Sequence, residues 1–221
     1  MEILKYKNLS YSLSLPKYYP QKEKYPLLVF LHGAGTRGND TDKLLQNPFF
    51  TETGENLSDF IAAAPQCYAD SWFDIFEQLY DWICHVINTP GIDRQRCCLM
   101  GASMGGYAVW QAAMSHPELY AAIMPICGGG MYWNAARLKD IKIRAFHGSD
   151  DRVVYPDESK KMIAAAQRCG CDAKLTIYEG VANDAWLRVY RDKALFQWLL
   201  RKKRGRPTGE DTQFNDPEIF G

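Results

Sequence analysis

An α/β domain built on a mostly parallel sheet is predicted by three observations. Short, wholly apolar runs recur along the chain, Leu27-Leu-Val-Phe-Leu31 being the clearest. A strand covered by helices on both faces reads this way. Segments with helical periodicity lie between those runs. No internal repeat or mid-chain linker interrupts the alternation, and 221 residues fit one such domain.

The first elements depart from the parallel pattern. Ser10 to Leu15 alternates polar and apolar, as a half-exposed strand does, and Met1 to Lys7 can pair with it as a hairpin. After Leu27 to Leu31, strands are expected at Phe60 to Ala64, Cys97 to Met100, Ala121 to Ile126, Ile141 to Phe146 and Lys174 to Tyr178. Trp72, Phe73, Phe76, Leu79, Tyr80, Ile83, Val86 and Ile87 fall on one helical face. Further helices are expected at Met104–Ser115, Pro156–Arg168 and Trp186–Leu200. The domain is bounded at residues 1–204. The segment 205–221 reads as a surface tail, polar and acidic from Pro207 to Gly221. The basic run Arg201 to Arg206 complements the dipole at a helix C-terminus.

Composition narrows the function. Lys and Arg number 26, as do Asp and Glu, so the net charge is zero. A generic nucleic-acid or anionic-membrane binder carries a basic excess, so neither partner is expected. No apolar run approaches the ~18 residues of a membrane span. The first twenty residues lack a basic start followed by an apolar block, so no signal peptide is read there. The seven cysteines are odd in number and several lie in apolar runs. Reduced thiols in a cytoplasm are therefore expected, not a disulfide framework. Cys169-Gly-Cys171 lacks the second ligand pair of a zinc site, so no metal is expected.

Three glycine-rich segments carry chemistry. Gly101-Ala-Ser103-Met-Gly105-Gly106 follows an apolar strand and precedes an apolar helix. Gly-x-Ser-x-Gly in that setting is a nucleophile elbow. Side chains two before and two after the serine would clash across the sharp turn, and the two glycines remove that clash. Leu31-His32-Gly33-Ala34-Gly35 lies just past the first buried strand. An acyl-transfer site needs fixed donors for a developing oxyanion. The backbone N–H groups of Met104 and Ala34 are the candidates. His32 is read as a structural hydrogen bonder in this loop. His147-Gly-Ser-Asp150-Asp151-Arg-Val-Val154 follows a later strand. A carboxylate there can orient a catalytic imidazole, and order after the serine favours Asp151.

These pieces resemble the α/β-hydrolase fold, and within it the compact phospholipase/carboxylesterase and predicted-peptidase esterases. The resemblance runs from about Leu13 to Leu200. It also includes Arg37-Gly38-Asn39-Asp40, Ala64-Pro65-Gln66-Cys67, Ile92-Asp93-Arg94 and Gly180-Val-Ala-Asn-Asp-Ala-Trp186. It implies a sheet of about eight strands with helices on both faces. It implies Ser103 as nucleophile, Asp151 as acid, Ala34 and Met104 as oxyanion donors, a small-molecule ester substrate and no cofactor. Only about a dozen residues, Gly128 to Asp140, stand where many relatives insert a lid, so an open site is expected. Trp72, Phe73, Tyr132, Trp133 and Trp186 flank the strand-end loops as pocket candidates or as packing. Arg37 either binds a substrate anion or pairs with Asp40 or Asp42.

The resemblance breaks at the base. These esterases carry the catalytic histidine in a Gly-His-Asp-x-Trp stretch, and here the stretch reads Ala182-Asn183-Asp184-Ala185-Trp186. The four histidines, His32, His85, His116 and His147, all precede Asp151. An amide takes up no proton near neutral pH, so general-base activation is expected to be lost. Three readings stay open: a slow ester hydrolase, an inactive relative that binds an ester or acyl ligand, and a serine peptidase. The sequence sets neither the acyl specificity nor the oligomeric state.

Overall fold

The structure, a computed structural model, describes residues 1–205. Apart from Gly205, the expected surface tail lies outside the described residues. An eight-stranded sheet runs in the order β1-β2-β4-β3-β5-β6-β7-β8. The strands are β1 (Glu2–Tyr6), β2 (Leu9–Ser14), β3 (Tyr25–Leu31), β4 (Ile61–Pro65), β5 (Ile92–Ala102), β6 (Ala122–Ile126), β7 (Lys142–Gly148) and β8 (Ala173–Tyr178). The hairpin β1–β2 pairs antiparallel, as does β2 with β4, and every later pairing is parallel. All eight expected strands are present. β3 and β6 are buried throughout, which explains their unbroken apolar sequence.

Seven α-helices complete the described chain: α1 (Thr41–Leu45), α2 (Pro48–Thr53), α3 (Phe76–Ile87), α4 (Met104–Ser115), α5 (Asp157–Arg168), α6 (Trp186–Arg191) and α7 (Lys193–Leu200). Two expected helices needed correction. The helix expected from Trp72 begins at Phe76, because Asp74 accepts bonds from the Ser71 N–H at 2.8 Å and the Ser71 hydroxyl at 2.9 Å. Those bonds hold the preceding residues in a turn. The helix expected over 186–200 is two helices. Asp192 leaves helical geometry and its carboxylate caps α7 through the Ala194 N–H at 2.9 Å.

One face of the sheet buries Trp82, Ile83, Val109, Trp110 and Ile163 with the hairpin's Leu9 and Tyr11. The other buries Phe30, Phe49, Tyr190, Phe196 and Leu199. There Phe30 stacks on Phe49 with ring centres 4.0 Å apart. Among the described residues no helix is long and apolar enough to cross a membrane. All seven cysteines are free thiols.

The topology fixes where a site can form. β3 lies between β4 on one side and β5 on the other, so the winding reverses there. Loops leaving the carboxyl ends of β3 and β5 diverge at such a point and open a crevice.

Candidate active site

Ser103 stands between β5 and α4 with φ 55° and ψ −117°. Few side chains hold this conformation, so surrounding contacts must enforce it. Its N–H donates to Ile126 O at 2.8 Å. Gly105 lies so close to β3 that a Cβ would sit 2.5 Å from the Leu31 carbonyl carbon and 2.9 Å from His32 O. A Cβ on Gly101 would meet Gly105 O at 2.5 Å. Close backbone approach therefore requires both glycines, as the spacing predicted. Met104 is the first residue of α4, where backbone N–H groups have no partner within the helix.

The loop after β3 lies against this turn: a Cβ on Gly33 would be 3.5 Å from Ser103 Cβ. His32 is fully buried and holds the loop. Its Nε2 accepts from the Cys67 N–H at 2.9 Å, so Nδ1 carries the proton and donates to Gly33 O at 2.7 Å. Burial pushes the imidazole down to about 4, so it stays neutral. Ala34 follows, exposed, and opens a 3₁₀ turn over Ala34–Thr36.

Arg37 pairs with neither Asp40 nor Asp42. Its Nε donates to Ala34 O at 3.0 Å and an Nη to Asp70 O at 2.6 Å. Trp72 is a correction to the pocket candidates. It is fully buried, its indole donates to His32 O at 3.0 Å, and it supports the loop from behind. Trp133, Tyr132 and Phe73 are exposed, and Trp186 is half-buried at the start of α6.

Asp151 follows β7 and is buried. One carboxylate oxygen accepts the N–H groups of Val153 and Val154, each at 2.9 Å. The other accepts the Asn183 amide at 2.5 Å. The loop carrying Asn183 packs directly on Gly148, where any Cβ would overlap the Val181 and Ala182 carbonyls. Asp150 N–H donates to Val181 O at 2.9 Å, tying the two loops together. Asn183 gives its side-chain hydrogen bond to Asp151, not to Ser103.

None of the histidines is hydrogen-bonded to Ser103, and each makes other contacts. His85 stacks on Tyr6 against the hairpin. His116 stacks on Tyr80 beyond the far end of α4, and twelve helical residues at ~1.5 Å each put it roughly 18 Å from the elbow. His147 is buried, with Nδ1 on Ser159 Oγ and Nε2 on Val154 O.

Sequence reasoning missed the surroundings of Asp151. Cys127, His147 and Asp151 bring a sulfur, a ring nitrogen and a carboxylate oxygen within 4.8 Å of one another. Metal would need a thiolate and a free imidazole nitrogen. Burial, reinforced by the Asp151 charge, pushes the Cys127 thiol up to about 12. Both His147 nitrogens are spent on protein groups. The cluster is suited to knitting loops together. The only sequence signal for it was His147-Gly148 at a strand end.

A strained serine at a strand-to-helix turn, with a buried carboxylate after a later strand of an eight-stranded, mostly parallel sheet, decides the fold. The chain has the α/β-hydrolase fold. Comparison with solved structures agrees. A thermostable esterase is 30% identical with a TM-score of 0.82, over 92% of this chain and 63% of that one. The chain thus spans under two thirds of that esterase's length. Esterase PE8 is 20% identical with a TM-score of 0.68, covering 87% of this chain and 99% of its own. An acylaminoacyl peptidase of Pyrococcus horikoshii is 15% identical with a TM-score of 0.69, over 95% of this chain and 42% of that one. Residues 66–139 match the Prolyl oligopeptidase family. No curated protein matches the sequence. Within this fold the strained Ser103 turn and the buried Asp151 are both in place, and Asn183 bonds the Asp151 carboxylate.

Proposed function

We propose that the chain is a serine hydrolase of small carboxylic esters, with Ser103 as nucleophile, Asp151 as acid and Asn183 in the base position, so that turnover is slow. The bond of 2.5 Å from Asn183 to Asp151 carries this reading. A side chain on the loop after β8 engages the acid as the Nδ1–H of a triad imidazole does. Ser103 Oγ would attack the ester carbonyl carbon, and the Met104 and Ala34 N–H groups would receive the charge forming on its oxygen. Removing one such donor typically costs ~3–4 kcal/mol of barrier. The serine's proton passes to solvent water, the leaving group departs as alkoxide or phenolate and is protonated by solvent, and water then hydrolyses the acyl-serine to release the acid. The chemistry calls for no metal or organic cofactor. Trp133, Trp186 and Arg37 are proposed to border the substrate.

Esters are favoured over peptides for a chemical reason. An amine leaves only when protonated, and the amide of Asn183 cannot pass the serine's proton to it. An alkoxide or phenolate leaves without that help. Zero net charge and seven free thiols support a cytoplasmic protein acting on small molecules. The base position itself favours a second reading, in which the crevice binds an ester or acyl ligand without turnover.

Release of p-nitrophenol from short p-nitrophenyl esters, measured on this chain and on Ser103→Ala, tests the proposal. A slow release lost in Ser103→Ala, with the acyl mass found on Ser103, is expected. Equal release from both proteins would overturn it. Saturable binding of an acyl phosphonate without turnover would establish the second reading.

A further inference from the structure

Among the nine buried polar or charged side chains of the described residues, His147, Asp151 and Ser159 form one connected group. Buried polar groups cost stability unless paired, so a cluster in the interior calls for an account. His147 Nδ1 lies 2.7 Å from Ser159 Oγ, which lies 2.9 Å from Gly128 O. His147 Nε2 lies 2.8 Å from Val154 O and 3.3 Å from Asp151 Oδ2. A carbonyl only accepts, so Nε2 carries a proton and points it at Val154 and Asp151. Ser159 is on α5, His147 is the penultimate residue of β7, Gly128 follows β6, and Asp151 is on the loop after β7. Four elements therefore meet at one imidazole.

The arrangement acts on the acid from two sides. His147 holds the carbonyl of Val154, whose N–H in turn holds Asp151 Oδ1. It also places a donor beside Oδ2, the oxygen that takes Asn183. Freedom of the carboxylate to rotate is removed at both oxygens. Misplacing a catalytic group by about 1 Å can cost on the order of 100-fold in rate.

We propose that His147 and Ser159 are positioning residues, which fix the Asp151 carboxylate toward the side chain at position 183. This rests on the reading of Ser103 and Asp151 given above. The test uses two arms. In Asn183→His protein, Ser159→Ala and His147→Leu are expected to lower kcat about 10- to 100-fold with KM within about twofold. His147→Gln keeps an N–H donor and is expected to recover most of the loss. In the chain with Asn183 intact, the side-chain amide resonances of Asn183 in 15N-edited spectra report its bond to Asp151. They should move in His147→Leu and Ser159→Ala and stay near their place in His147→Gln.

Unchanged kcat in folded variants, or kcat and KM shifted together, would overturn the proposal. So would Asn183 resonances that ignore position 147. If Asn183→His itself gains no turnover, the reading of the site fails, and the spectra still decide the positioning role. Ser159→Ala removes one hydroxyl and serves should His147→Leu fail to fold.

Discussion

Asn183→His should turn a slow site into an efficient one. The perturbation replaces an amide donor to Asp151 by an imidazole on the same loop. Asn183 Nδ2 is 2.5 Å from Asp151 Oδ2, so an imidazole at this position could direct its Nδ1–H to the same oxygen. Asp151 needs no rearrangement, because its other oxygen is held by two backbone N–H groups at 2.9 Å. The full effect of a general base is therefore available, about 10²–10⁴-fold. That is about 3–5 kcal/mol of barrier at ~1.4 kcal/mol per decade. The assay is kcat/KM for p-nitrophenyl acetate across pH 5–9 in the parent, in Asn183→His and in Asn183→His with Ser103→Ala. The gain should carry a rise of rate with pH near the ordinary imidazole value of ~6.5, absent from the parent. A parent already turning over at an ordinary ~10 s⁻¹, with nothing added by the histidine, would refute the reasoning.

Three further outcomes are expected. Gly105→Ala should lower stability by at least about 2 kcal/mol in urea unfolding, because its methyl must displace the β3 backbone at Leu31; an unchanged midpoint would sink the close-approach argument. Burial lowers His32 to about 4 from 6.5. Between those values the unfolded chain binds a proton that the folded chain does not, so stability rises with pH across this window and is lost as pH falls. The full effect is about 3 kcal/mol; His32→Gln should flatten the dependence, and equal slopes would count against it. Native thiol titration should find Cys84 and Cys169 reacting first, because the other five are buried and burial pushes Cys98 and Cys127 up to about 12. Seven thiols should react once the chain is unfolded without reductant, and fewer would reveal disulfides.

The parallel strands were legible because burial on both faces forces unbroken apolar sequence, as in Leu27–Leu31. The elbow was legible because steric exclusion allows only glycine at 101 and 105. Helix ends were less so. The start of α3 depends on Asp74 bonding Ser71, and the break at Asp192 on one carboxylate capping α7. Periodicity carries no record of either. Trp72 shows the same limit: a tryptophan beside a strand-end loop reads alike whether it faces a crevice or supports the loop from below. The Asp151 cluster was illegible because Cys127, His147, Ser159 and Gly128 converge only through the crossing of β6, β7 and α5.

Ser103 and Asp151 are each held by contacts that do not pass through position 183. The strain at Ser103, ~1–3 kcal/mol for such a conformation, is held by the Ile126 carbonyl, by the contact of Gly105 with β3 and by the packing of α4. None of these involves residue 183. Asp151 is likewise held by Val153 and Val154. On the proposed function, an amide in place of an imidazole would therefore remove the proton acceptor and leave both of these arrangements standing. The residue in its place still has a duty. An apolar side chain would take a hydrogen bond from a buried carboxylate oxygen, at a cost of ~1–3 kcal/mol or more for a charged group. Asparagine supplies the donor that Asp151 requires, without the base that the proposed Ser103 chemistry would require. On the proposed function, a single substitution at this residue is thus expected to change the chemistry and leave the fold alone.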